Sequence, residues 1–128
     1  MTDHPTPPGL PESLRRSLAE RFGVRFSCGA STCLQHGRDE SVHEPQLPDG
    51  VVMATSSDEV AGVVRLCAEH AVPVIPYGVG SSVEGHVLAP RGGISLDLSG
   101  MNRILAIHAE DGDAVVEAGV TRKQLNEA

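Results

Sequence analysis

Aromatic side chains are nearly missing from this sequence. They make up 2% of its 128 residues, as Phe22, Phe26 and Tyr77, and there is no tryptophan. Proteins that hold unstacked bases rely on several exposed aromatic rings, so single-stranded nucleic acid is excluded as a partner. Positive charge is scarce as well. Ten lysines and arginines stand against seventeen acids, a formal net charge of -7, whereas proteins that grip phosphate backbones present a basic face. The acidic balance serves solubility.

No apolar run reaches the roughly 18 residues of a membrane span. The opening stretch "MTDHPTPPGLPES" lacks the basic and apolar regions of a secretion signal. Cysteine is sparse and odd in number: Cys28, Cys33 and Cys67 make a poor disulfide framework and suit a reducing compartment. The expected location is therefore the cytoplasm. "CGASTC" spaces its thiols too widely for a C-x-x-C redox pair, and with no second pair it is a weak zinc signal. Cys67 fits the apolar face of a helix as a small core residue.

What the chain does have is aliphatic residues, at 40% hydrophobic content. That suffices for one core of Val, Leu, Ile and Ala, as in buried strands packed by small-residue helices. Residues 1–10 are proline-rich and poor in apolar side chains, and read as a mobile arm. Between Pro11 and Gly23, Leu14, Leu18 and Phe22 recur every four residues, which predicts a short amphipathic helix. From 24 to 50 the chain is polar, rich in turn formers and read as irregular.

Order sharpens after Gly50. "VVMAT" reads as a buried strand, and "SSDEVAGVVRLCAEHA" as a helix with Ser56 and Glu59 in a capping box. Val60, Val63, Val64, Cys67 and Ala71 would line its apolar face, and Pro73 ends it. "VPVIPYG" is the next strand. A β-α-β unit with tight joins predicts parallel strands and a right-handed crossover. "GGISLDLS" is a third strand, and "RILAIHAEDGDAVVEAG" predicts a hairpin about Asp111-Gly112. Thr121 is a suitable N-cap for a helix in "TRKQLNEA". The chain stops about two turns into that helix, so its end reads as an interruption.

The loop "PYGVGSSVEGH", residues 76–86, invites a phosphate reading. A P-loop needs a lysine, and this stretch has none. A dinucleotide fingerprint needs a third glycine where Val83 stands, and a helix where "EGHVLAPRGG" follows. What remains is a loop whose own amides face an anion. Gly78 and Gly80 allow positive φ and close approach, and Ser81 and Ser82 add hydroxyl donors. Such a site needs no basic side chain. A plain glycine turn between two strands fits the local residues equally well.

Other polar residues carry two readings each. His86 could face a ligand or support a tight turn. Arg91 could meet phosphate or only solvent. Asp97 could bind a ligand hydroxyl or cap the turn at Ser99-Gly100. His36, His43, His70 and His108 lack metal-ligand spacing and read as surface or turn residues. No catalytic triad can be argued from spacing.

Residues 51–128, and above all "PYGVGSSVEGHVLAPRGGISLDLSGMNRI", resemble the start of the FAD-binding domain of FAD-linked oxidases. The type is that of vanillyl-alcohol oxidase and p-cresol methylhydroxylase, and within it the D-lactate dehydrogenase (cytochrome) and glycolate oxidase subunit group. Residues 11–50 match more loosely, through "QHGRDESVH". The resemblance implies an α+β fold, with 51–128 as the first half of such a domain behind an N-terminal helix and irregular segment at 11–50. It implies that Pro76, Tyr77, Gly78, Val79, Gly80, Ser81 and Ser82 cradle the FAD pyrophosphate, with Gly85 and His86 close to the cofactor. Asp97, Ser99 and Met101 would form the strand end and turn beside it.

The chemistry implied is oxidation of a D-2-hydroxy acid, of D-lactate or glycolate type, to the 2-oxo acid. Hydride passes to flavin N5, and electrons go on to a cytochrome, a quinone, an electron-transfer protein or oxygen. Some members attach flavin through a histidine placed directly after the second loop glycine. Ser81 stands there, so non-covalent FAD is expected. Members continue into a second FAD-binding stretch and a cap domain that holds the hydroxy acid. Nothing of that kind follows Ala128, so no catalytic residue is nominated and the chain is expected to be an N-terminal piece. The alternatives are a non-catalytic nucleotide-binding or interaction module, and an inactive truncated fragment.

Overall fold

A computed structural model describes residues 9–128, so the arm expected at the start lies outside the described residues up to position 8. By Leu10 the chain is already in the core, at 8% exposure. The first helix, α1 (Glu12–Phe22), buries Leu14, Leu18 and Phe22 on one face, as their spacing predicts. The segment read as irregular holds more order than its composition suggests. It contains a short strand, β1 (Phe26–Ser27), and a helix, α2 (Ala30–His36). α2 escapes a periodicity reading because its buried residues are Cys33 and His36, a pair with no apolar stripe.

The strand β2 (Gly50–Met53), helix α3 (Ser57–Glu69), and strands β3 (Val74–Tyr77) and β4 (Ile94–Asp97) complete the main layer. The sheet order is β1-β2-β4-β3. β4 runs parallel to both β2 and β3, while β1 pairs antiparallel with β2. The β-α-β unit expected from the sequence is present, with β4 inserted between its two strands.

At the start of α3, the Ser56 hydroxyl accepts the Glu59 N–H at 3.2 Å, half of the expected capping box. The return half differs. Glu59 accepts the Thr55 N–H at 2.8 Å and a two-pronged pair from Arg25 at 2.8 and 2.7 Å. The buried stripe of α3 is Gly62, Val63 and Cys67. Val64 is 47% exposed, and Ala71 lies beyond the helix with φ 54°, so the apolar face is rotated from the expected one.

One sheet face, with Val52, Ala54, Ile94 and Leu96, packs on Leu14, Leu18, Phe22, Val63 and Cys67 of α1 and α3. Strand alternation sends Val51, Ser95, Asp97 and Tyr77 to the other face, where His36 of α2 meets Asp97 and Tyr77. Covering on both faces is the usual condition of a parallel sheet.

Pro76 sits inside β3 without breaking it. β4 bonds to the odd-numbered residues of β3, as the Leu98 N–H to Tyr77 carbonyl bond of 2.9 Å indicates. The nitrogen at position 76 therefore faces the outer edge, where no partner needs a donor.

After β4, the strands β5 (Ile104–His108) and β6 (Asp113–Val116) form the expected antiparallel hairpin, with Gly112 at φ 74° in its turn. They make a separate two-stranded sheet. Thr121 caps the last helix, α4 (Arg122–Asn126), by accepting the Gln124 N–H at 3.1 Å. Among the described residues, no helix is long and apolar enough to cross a membrane.

Candidate functional site

The carboxyl ends of β3 and β4 deliver the glycine-serine loop and the Asp97–Met101 turn to the same end of the sheet. Ligands of open α/β sheets gather at such ends. β3–β4 pairing stops at Tyr77 opposite Asp97. From Gly78 to Glu84, no backbone N–H donates to an acceptor among the described residues. The first loop amide engaged is Gly85, which donates to Asp39 Oδ2 at 2.9 Å. The loop therefore presents a run of free donors.

Gly80 has φ 71°, and a Cβ there would collide with the Tyr77 hydroxyl. Only glycine suits that position on both counts. Gly78 does not share the positive φ expected of it; the second such position in the loop is Gly85. Ser81 is exposed, and its hydroxyl has no partner among the described residues. Ser82 differs from its expected role as a free donor, because its hydroxyl is spent on Asp39 Oδ2 at 2.5 Å.

Around this loop lies a cleft of about 430 Å³, lined by Gln35, Arg38, Asp39, Glu40, Tyr77, Val79 and Gly80. Arg38 is its one basic lining residue, and forms no ion pair among the described residues. Burial pushes the Tyr77 phenol above its ordinary value; nearby Asp97 adds to this and Arg38 opposes it. Hydrogen bonds from Ser41 and Ser82 hold the Asp39 carboxyl down at about 2.

The remaining expected residues divide in two groups. Asp97 is buried at 5% exposure, and both its oxygens are occupied. Oδ1 accepts the Ser99 N–H and hydroxyl at 2.9 and 2.6 Å, the turn-capping role, and Oδ2 pairs with His36 Nε2 at 2.8 Å. Met101 is buried at the end of that turn, its N–H donating to the Leu98 carbonyl at 2.9 Å. Pro76 and Val79 are exposed at the loop's start. His86 projects outward with a 72% exposed side chain, 3.6 Å from Glu84. Arg91 lines a different cavity, of about 150 Å³, with Leu10, His70 and Pro73.

Three residues of the site escaped the sequence reading: His36, Arg38 and Asp39. His36, taken for a surface or turn residue, is 5% exposed and lies against Tyr77 with ring centroids 4.3 Å apart. Their only signal was the loose resemblance through "QHGRDESVH".

Free backbone donors, a glycine required by close approach and one unpaired arginine fit the anionic, pyrophosphate-bearing stretch of a dinucleotide. The cleft volume falls within the range of about 300–1,000 Å³ seen for small-ligand sites. Asp39 and Glu40 bring negative charge to the rim, but the Asp39 oxygens are turned into hydrogen bonds with the loop and with Ser41.

A family model described as "FAD binding domain" matches residues 48–128. Among curated proteins, the chain is 45% identical over 111 residues to a probable mitochondrial D-lactate dehydrogenase of Danio rerio. That alignment covers 87% of this chain and 22% of the relative. Identity is again 45%, over 94 residues, to the mitochondrial D-lactate dehydrogenase [cytochrome] of Arabidopsis thaliana, covering 72% of this chain and 17% of the relative. The chain thus spans about a fifth of the length of these proteins. Among solved structures, p-cresol methylhydroxylase with substrate bound superposes with a TM-score of 0.70 at 26% identity, covering 94% of this chain and 25% of that one. An alkyldihydroxyacetonephosphate synthase shares the fold, with a TM-score of 0.83 at 23% identity, over 95% of this chain and 27% of its own. The α+β fold is that of part of a p-cresol methylhydroxylase-type FAD-binding domain. The chain belongs to the FAD binding domain family, and FAD is its cofactor.

Proposed function

We propose that this chain forms the pyrophosphate-holding portion of an FAD-dependent oxidoreductase that converts a D-2-hydroxy acid, of the D-lactate or glycolate type, to the 2-oxo acid. The observation that carries the site is the run of unengaged amides from Gly78 to Glu84 at the end of β3. The substrate class rests on the 45% identity to two D-lactate dehydrogenases. Bound FAD supplies the hydride acceptor.

The chain's own part is binding and orientation. Amides of Gly78–Ser81 and the Ser81 hydroxyl donate to the pyrophosphate, and Arg38 balances its charge across the cleft. Ser81 offers no imidazole for a covalent link, so FAD is held without one. The electron acceptor proposed is a cytochrome, quinone or electron-transfer protein, and the compartment is the cytoplasm, in keeping with three unpaired cysteines.

The full-length protein that carries this chain is expected to purify yellow, to release its flavin on acid precipitation, and to bleach anaerobically with D-lactate or glycolate. Flavin that stays with the precipitate would overturn the non-covalent reading. A yellow protein that no D-2-hydroxy acid bleaches would overturn the substrate class. Colourless protein that takes up no FAD would overturn the site.

A further inference from the structure

We propose that residues 36–40 form a bracket that fixes both ends of the cofactor loop, with Asp39 as its principal positioning residue; this rests on the loop's reading as the FAD pyrophosphate site. The loop starts after Tyr77 and is next engaged at Ser82 and Gly85. One short segment, at the end of α2, meets it at both places.

At the near end, the His36 ring lies against Tyr77 with centroids 4.3 Å apart and planes tilted by 45°. Its Nδ1–H donates to the Thr32 carbonyl at 2.8 Å, which fixes the ring to its own helix. A carbonyl can only accept, so that hydrogen is settled on Nδ1. His36 Nε2 then stands 2.8 Å from Asp97 Oδ2, which ties the ring to the end of β4. Asp97 is the strand partner of Tyr77, so His36 grips the two residues from which the loop and the turn depart.

At the far end, Asp39 Oδ2 accepts two loop donors, the Ser82 hydroxyl at 2.5 Å and the Gly85 N–H at 2.9 Å. Its Oδ1 accepts the Ser41 N–H at 2.9 Å, which orients the carboxylate. The Glu40 N–H adds a third tie to the loop, donating to the Ser82 carbonyl at 2.9 Å. Between these two grips, the backbone donors of 78–81 have no partner among the described residues, so they are held in place while remaining free. Binding then has little loop freedom left to remove, and fixing a loop in its bound shape raises affinity chiefly by cutting that cost. Asp39 lies outside the apolar core, so its loss acts on the loop more than on the fold.

The test compares FAD affinity and dissociation rate in the full-length protein with Asp39→Ala, Asp39→Asn, Ser82→Ala and, as a control, Glu59→Gln. Glu59 anchors the start of α3 to Arg25. Asp39→Ala is expected to weaken FAD binding by about tenfold or more and to speed its release, since several hydrogen bonds each worth about a factor of ten are lost. Asp39→Asn keeps one accepting oxygen and should recover part of the loss; Ser82→Ala should lose less than Asp39→Ala. The visible circular dichroism of the remaining bound flavin should change in the Asp39 variants and stay as wild type in Glu59→Gln, whatever that control does to melting. Wild-type affinity in Asp39→Asn and Ser82→Ala would overturn the bracket. So would a loss of affinity in Glu59→Gln that matches theirs at an equal fall in melting temperature. A wild-type protein that binds no FAD would instead overturn the site itself.

Discussion

The two sheets of this molecule live under opposite conditions. Every residue of β4 is buried, whereas every residue of β6 is exposed. The four-stranded sheet has helices on one face and α2 with the cofactor loop on the other. The β5–β6 hairpin leaves Leu105 at 56% exposure, Ile107 at 49% and Val115 at 48%. Its base is held by polar ties, with Arg103 Nε donating to Glu117 at 2.8 Å and the Glu117 N–H donating to the Arg103 carbonyl at 2.9 Å. The lesson is where rigidity is placed. The loop that meets the cofactor grows from strands packed on both sides, and the hairpin borrows its order from the turn and the Arg103–Glu117 ion pair at its base.

The sharpest way to break that contrast is a pair of substitutions, one in each sheet, measured by denaturant unfolding of this chain. Ile94→Ala should cost about 2–5 kcal/mol, the usual toll of emptying a fully buried aliphatic site. A loss below 1 kcal/mol there, on the order of a surface change, would mean the sheet is not the stable part. Gly112→Ala comes next. Among the described residues nothing lies within 4 Å of the added carbon, so only the left-handed φ of 74° opposes it, at about 1–2 kcal/mol. Amide exchange should then quicken in 104–116 and stay unchanged in β2 and β4.

Acid should sharpen the contrast further. The carboxyls of Asp39 and Glu59 are both held down to about 2, from ordinary values of 3.8 and 4.5. Their contribution is complete above those ordinary values and fades as pH falls toward about 2. Melting temperature should therefore drop over that interval, and Asp39→Asn should remove part of the slope. A flat profile from pH 5 to pH 2, by roughly that linkage, would deny both carboxylates their anchoring role. The smallest effect is expected on the hairpin's open face, where Val115→Thr should shift stability by less than about 0.5 kcal/mol.

Much of this architecture was legible in the residues. Aliphatic runs of strand length, the Ser56 cap and the Leu14–Leu18–Phe22 stripe each reflect local physics, and each element stands where it was expected. The loop's lack of lysine left amide donors as the one phosphate chemistry open to it, and those amides have no partner among the described residues. What stayed hidden depends on contacts across the fold. α2 has no apolar period, and the value of His36 and Asp39 lies in partners 61 and 46 residues away. The same distance effect misassigned Ser82, whose hydroxyl looks free until Asp39 is placed beside it.

Pro76 has a consequence for association. β3 forms one border of the sheet, and a hydrogen-bonding row along a border is a template on which another chain can add a strand. The proline removes a donor from that row, next to the point where the loop must stay clear for its ligand. The opposite border ends in β1, only 2 residues long. Both margins are therefore poor templates, and the sheet can hold a glycine loop open at one end without inviting a neighbour to zip onto it.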